Sequence, residues 1–143
     1  MTSQLNVDTI KGQTTAGSVS AQGEGTATTN LQQGLAKVWT NFDGGATNAA
    51  SNDSFNIGGE TDNGTGSYTK SFTNNMGNAN WTSQCSLNNG TTDVSAAHDY
   101  GWAIVDRTTS NFRWDTENAS NSQVDLALLD AVIHGCISEW CIT

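Results

Sequence analysis

Apolar residues in this chain recur at every second position over short runs, and each run is closed by Gly, Asn or Asp. Period two is the strand period, because successive side chains of a strand point to opposite faces of the sheet. In GSYTKSFT the pattern sets Tyr68, Lys70 and Phe72 on one face and Ser67, Thr69, Ser71 and Thr73 on the other. NFRWDT alternates through Phe112 and Trp114, NWTSQCS aligns Trp81, Ser83 and Cys85, and DSFNIG places Phe55 and Ile57 on one side. Ahead of these, Ala36, Val38 and Thr40 share a face, with Trp39 and Phe42 near the other. YGWAIVD is apolar on both faces, the pattern of a central strand. Short strands separated by turn clusters predict a sandwich or a barrel.

The two ends depart from this pattern. Residues 1–35 are Ser, Thr, Gln and Gly with sparse apolar positions, chiefly Leu5, Val7, Ile10 and Val19. Leu5, Val7 and Thr9 alternate and predict a short strand, but so polar a segment buries little by itself. It is an arm that is either disordered or ordered against other chains. Within it, TTNLQQG offers Asn30 as a cap, one helical turn, and Gly34 as its end. Near the C-terminus, Val124, Ala127, Leu128, Ala131 and Val132 fit a helical template, while β-branched Val132, Ile133 and Ile137 argue for a strand. Local pattern alone favours helix.

Composition strengthens the β reading. Hydrophobic residues are 35% and charged residues 13%, the balance being largely Thr, Asn, Ser and Gly, which weaken helix interiors. Proline is absent, so the turns fall to Gly, Asn and Asp. Five Trp, four Phe and two Tyr argue for a folded core beyond the arm. The net charge of −9 opposes binding to nucleic acid and to anionic membranes. No run reaches the eighteen apolar residues of a membrane span, and MTSQLNVDTI lacks the basic and apolar regions of a signal peptide. Synthesis in a cytoplasm without export is expected. Buried free thiols are then the default for Cys85, Cys136 and Cys141, a Cys136–Cys141 bridge being the alternative.

Candidate chemistry is sparse. His98-Asp99 resembles a base with its orienter but has no coupled nucleophile, and His134, Cys136 and Cys141 lack the paired spacing of a structural zinc site. Asp93, Asp99, Asp106 and Asp115 could supply the carboxylate pair of a carbohydrate-active enzyme, yet nothing marks two of them as partners. No catalytic residue, metal or cofactor is expected. Trp39, Trp81, Trp102 and Trp114 read as core; Trp140 reads as core or interface, or as a platform for a sugar.

The segment DSFNIGGETDNGTGSYTKSFTNNMGNANW, with LAKVWTNF before it and SNFRWDTENASNSQVDLALLDAVIHG after it, resembles a pattern in tail-fibre-like and other virion structural proteins of tailed bacteriophages. The likeness is greatest to those of marine phages infecting cyanobacteria, and LNVDTI resembles the opening of such proteins. Three departures stand out. Glu60 and Lys70 replace apolar residues, and Gly77 replaces a proline. Lys70 on an inward face implies an edge strand or a solvent-facing surface. The resemblance implies a strand over Asp130 to Ile137 that ends the domain, and this reading is adopted over the local preference for helix.

The expected fold is therefore all-β: an antiparallel, jelly-roll-like β-sandwich knob over 36–143, with an extended virion-docking arm over 1–35. The expected function is a virion component, a short tail fibre or tip protein whose knob meets the host surface. The alternative is a capsid decoration or head-fibre protein that grips the shell through its arm. The resemblance implies other virion proteins and further copies of the chain, as a homotrimer, for partners, with a host-surface glycan as a further one. Leu5, Val7 and Ile10 would dock the arm and Trp140 would contact a sugar.

Overall fold

The computed structural model describes residues 4–13, 19–22, 25–45, 50–88 and 100–136. The two layers of the knob are antiparallel sheets, built as the alternation predicts. In the first, β3 (Val38–Asp43), β4 (Ala50–Phe55), β7 (Thr82–Asn88) and β10 (Leu128–His134) lie in the order β4-β3-β10-β7. In the second, β5 (Ile57–Gly64), β6 (Ser67–Phe72), β8 (Tyr100–Arg107) and β9 (Asn111–Asn118) lie in the order β5-β6-β9-β8. The chain crosses between layers after β4, β6, β7 and β9. The molecule is an antiparallel β-sandwich.

The core lies between the sheets. Phe42, Ala131 and Ile133 from one layer meet Tyr68, Phe112 and Trp114 from the other, all almost fully buried. Phe42 and Tyr68 pack edge to face across the layers, with ring centroids 4.8 Å apart. The inward set Tyr68, Lys70 and Phe72 on β6 and the pair Phe112 and Trp114 on β9 are those the sequence predicts. β10 is a strand, against the local preference for helix. It runs between β3 and β7 and buries Leu129, Ala131 and Ile133 on one face. A helix there would leave two neighbouring ladders without a partner.

Gly64 and Gly66 turn β5 into β6 with φ of 115° and 68°. At Gly66 a Cβ would lie 2.7 Å from both the Thr116 carbonyl oxygen and the Val124 amide nitrogen. Only glycine fits there.

Four expectations are corrected. Phe42 lies on the Val38 and Thr40 face, because residues two apart share a side. DSFNIG is two strands: Asn56, at φ 61°, breaks the run and sends the chain to the other sheet, leaving Phe55 52% exposed and Ile57 against the core. YGWAIVD is an edge strand, and Trp102 is exposed rather than core, as is half-buried Trp39 to a lesser degree. Cys136 is disulfide-bonded to a partner outside the described residues, whereas Cys85 is free.

In the arm, β1 (Ser20–Gln22) and β2 (Thr28–Asn30) form a small hairpin, followed by the single turn α1 (Leu31–Gly34). The Lys37 amide then donates to the Ile133 carbonyl at 2.8 Å, which ties the end of the arm to β10. Residues 4–13 hold no strand. The alternation of Leu5, Val7 and Thr9 is strand-like, but a strand needs a ladder and this segment has none.

Candidate functional site

Lys70 is fully buried, on a strand second from the edge of its sheet. Both sequence-based explanations of it therefore fail. What holds it is the other departure from the family pattern. Glu60 lies directly opposite on β5, and its Oε1 sits 3.0 Å from Lys70 Nζ. The ammonium also rests 3.2 Å from the centroid of the Phe42 ring, a cation–π contact from the facing sheet. Glu60 accepts from the Ser51 amide at 2.8 Å and from the Ser51 hydroxyl, and Ser51 shares a 2.6 Å hydrogen bond with Thr40. One residue each from β3, β4, β5 and β6 thus forms a polar clasp that closes this edge of the sandwich.

Burial lowers the Lys70 pKa to about 8, opposed by the hydrogen bond and charge of Glu60. For Glu60, burial alone would raise the carboxyl. The hydrogen bonds from Ser51 and the ammonium of Lys70 outweigh it and hold the group below its ordinary value. The clasp is tied to structure on every side.

A second polar cluster closes one end. Tyr68 donates from its hydroxyl to Asp125 Oδ1 at 2.6 Å and lies 3.0 Å from the Gly44 carbonyl, while the Gly66 amide donates to the same carboxylate oxygen at 2.7 Å. Burial and then Asp125 push the Tyr68 hydroxyl well above its usual range.

Among the described residues two open surfaces stand out. The first is the arm, where Leu5, Val7 and Ile10 are 77%, 53% and 57% exposed. The second is β8, with no neighbour on its outer side among the described residues. Trp102 and Val105 are exposed along it, Val105 at a bulge between Ile104 and Asp106. On its outer face Gly101 and Ala103 stand opposite Glu117 and Asp115. These small residues leave a hollow of about 180 Å³, bordered also by Val105. Asp115 is engaged by the Ser67 hydroxyl at 2.7 Å and by Arg113 at 3.5 Å.

Trp140, His98-Asp99, Asp93 and Cys141 lie outside the described residues. Asp106 and Asp115 lie on neighbouring strands, β8 and β9; Asp115 lines the hollow beside Glu117, and Asp106 does not line it. Among the described residues no three His, Cys, Asp or Glu side chains converge to hold a metal ion, and no helix is long and apolar enough to cross a membrane. Comparison with protein-family models, curated proteins and solved structures finds no match for this chain.

The sequence pointed to the arm and missed the clasp and the open β8 edge. The opposite charges were visible at two positions expected to be apolar, but a two-residue turn alone would set Glu60 opposite Ser71. The register shift between Asp62 and Gly64 brings Glu60 opposite Lys70.

Proposed function

We propose that this chain is a structural component of a tailed-bacteriophage virion, a short tail fibre or tip protein whose knob faces outward to meet the host surface. The observation that carries the reading is a division of labour within the chain. An acidic sandwich closed by the Glu60–Lys70 clasp is joined to an arm that exposes Leu5, Val7 and Ile10 to solvent. Apolar residues held out on an arm gain nothing in the free chain and gain burial when the arm docks, about 25 cal/mol per Å² removed from water. The resemblance in the DSFN to NANW segment supplies the phage context. Partners on this reading are other virion proteins, further copies of the chain in a homotrimer, and a host-surface glycan for the knob.

One observation favours the alternative of a capsid decoration protein. Between residue 19 and β3 the described chain forms a small hairpin and one helical turn, not an extended shaft. A knob held so near its anchor suits a shell surface.

The test is mass spectrometry of gradient-purified particles from an infected culture. The reading expects peptides of this chain at constant stoichiometry to the major capsid protein through successive purification steps. Their loss on purification would refute it.

A further inference from the structure

We propose that residues 5–10 of one copy pair as an added strand with the open edge of β8 on a second copy. The inference takes from the preceding section only that the arm docks between molecules. It holds or fails whatever particle carries the chain.

The argument begins with the edges. β4 exposes Phe55 at 52% but carries Asp53, β5 carries Glu60 and Asp62, and β7 is a polar strand of Thr, Ser, Gln and Asn around Cys85 and Leu87. β8 differs. From Tyr100 to Val105 it has no charge and no proline, and it exposes Trp102 at 40% and Val105 at 45%. A long, uncharged, apolar edge is a template for another strand, and proteins that leave an edge free protect it with charges, prolines or short length. The bulge and the charges of Asp106 and Arg107 guard only its C-terminal end.

The arm supplies the complement. LNVDTI alternates at the strand period, carries one charge, and has no ladder partner for its backbone in its own chain. Added beside β8, it would satisfy a row of backbone groups on both partners, the mode by which extended segments join sheet edges. One face of the entering strand would cover Trp102 at the mouth of the core. The other would run beside the hollow at Gly101 and Ala103. At about 180 Å³ that hollow, lined by Gly101, Trp102, Ala103 and Val105 together with Asp115 and Glu117, is below the size that takes a drug-like ligand and has room for a single side chain such as Ile10 or Val7.

The occupant is a second copy because the intramolecular alternative is not taken. Arm and edge are both open in the same chain, and the arm stays exposed. Ahead of the hairpin, residues 11–19 span about 30 Å when fully extended, so a neighbouring edge lies within reach. Each copy gives one strand and accepts one, an exchange that leaves neither element bare when it closes into a ring.

The test uses the full chain. Light scattering on a sizing column reads the oligomeric state, and amide hydrogen exchange reads protection at 5–10 and 100–105. The expected result is a concentration-dependent oligomer in which both segments gain protection together. Chains carrying Val7→Cys, mixed under oxidising conditions with chains carrying Ala103→Cys, should yield a 7–103 cross-linked peptide joining two molecules. Ala103→Lys, placed on the outer face, and separately Val7→Asn should each weaken association at least tenfold while the monomeric knob melts unchanged. A monomer at all concentrations overturns the proposal. So does an oligomer indifferent to both substitutions, or a 7–103 bond that forms only within one chain bearing both cysteines.

Discussion

Replacing Glu60 by Gln removes one charge from the clasp and leaves its shape almost unaltered. Lys70 then keeps an ammonium with no exposure and no counter-charge, supported by the neutral Gln oxygen, the Phe42 ring and a 3.5 Å contact with Ser51. Removing one partner of a fully buried ion pair costs about 3–5 kcal/mol. Two features reduce that figure. The Glu60 side chain is 21% exposed, so solvent already screens the pair. Lys70 also has an escape: burial lowers its pKa to about 8 even with Glu60 in place, and losing the carboxylate lowers it further. At pH 7 shedding the proton therefore costs at most roughly 1.4 kcal/mol, one pH unit's worth. The expected loss is therefore about 1–3 kcal/mol by urea denaturation at pH 7. The apolar pair Glu60→Leu with Lys70→Met should cost less than either single change, because a buried ion pair is often no better than a well-packed apolar pair. The double-mutant cycle is the assay. Two single effects that add within about 0.5 kcal/mol would show that the residues do not act together, and would refute the clasp.

Three further outcomes follow from the same geometry. The folded Lys70 pKa of about 8 lies below its ordinary 10.5, so the unfolded chain binds more protons between these values, and the Lys70 contribution to stability rises with pH across that window. Wild type minus Lys70→Met, measured from pH 7 to 10, should show that rise; a flat difference would contradict it. Gly66→Ala should destabilise by more than about 1 kcal/mol in a thermal melt, since the φ of 68° and the 2.7 Å approaches leave no room for a methyl group. Burial pushes the Cys85 thiol up to about 11, so alkylation at pH 8 followed by peptide mass spectrometry should leave Cys85 unlabelled in the folded protein and label it fully in urea.

How far the fold could be read in advance depended on what each strand buries. β6 and β9 are inner strands with one face on the core, and their alternation named the buried residues directly. β8 misled because apolar composition signals two covered faces only when something covers them, and here an edge strand keeps its apolar residues exposed. At Phe55 and Ile57 a continuous alternation concealed a change of sheet, since one left-handed Asn56 leaves hardly a mark on the pattern. β10 has a helical spacing of apolar residues and was decided by its two neighbours, β3 and β7. Lys70 was legible as an anomaly but not as half of a pair, because the partner is set by hairpin register, and register depends on the turn at Gly64 and Gly66. The arm was visible as a segment too polar to fold alone.

The central claim is that the chain belongs to a virion and is anchored by its arm, and gold-labelled antibody electron microscopy on intact particles tests it most directly. The account predicts label on the particle, at the tail or its tip, and loss of that label from particles assembled with Leu5, Val7 and Ile10 replaced by Ser. Label spread over the head would select the decoration reading. Particles that carry no label at all would contradict the account.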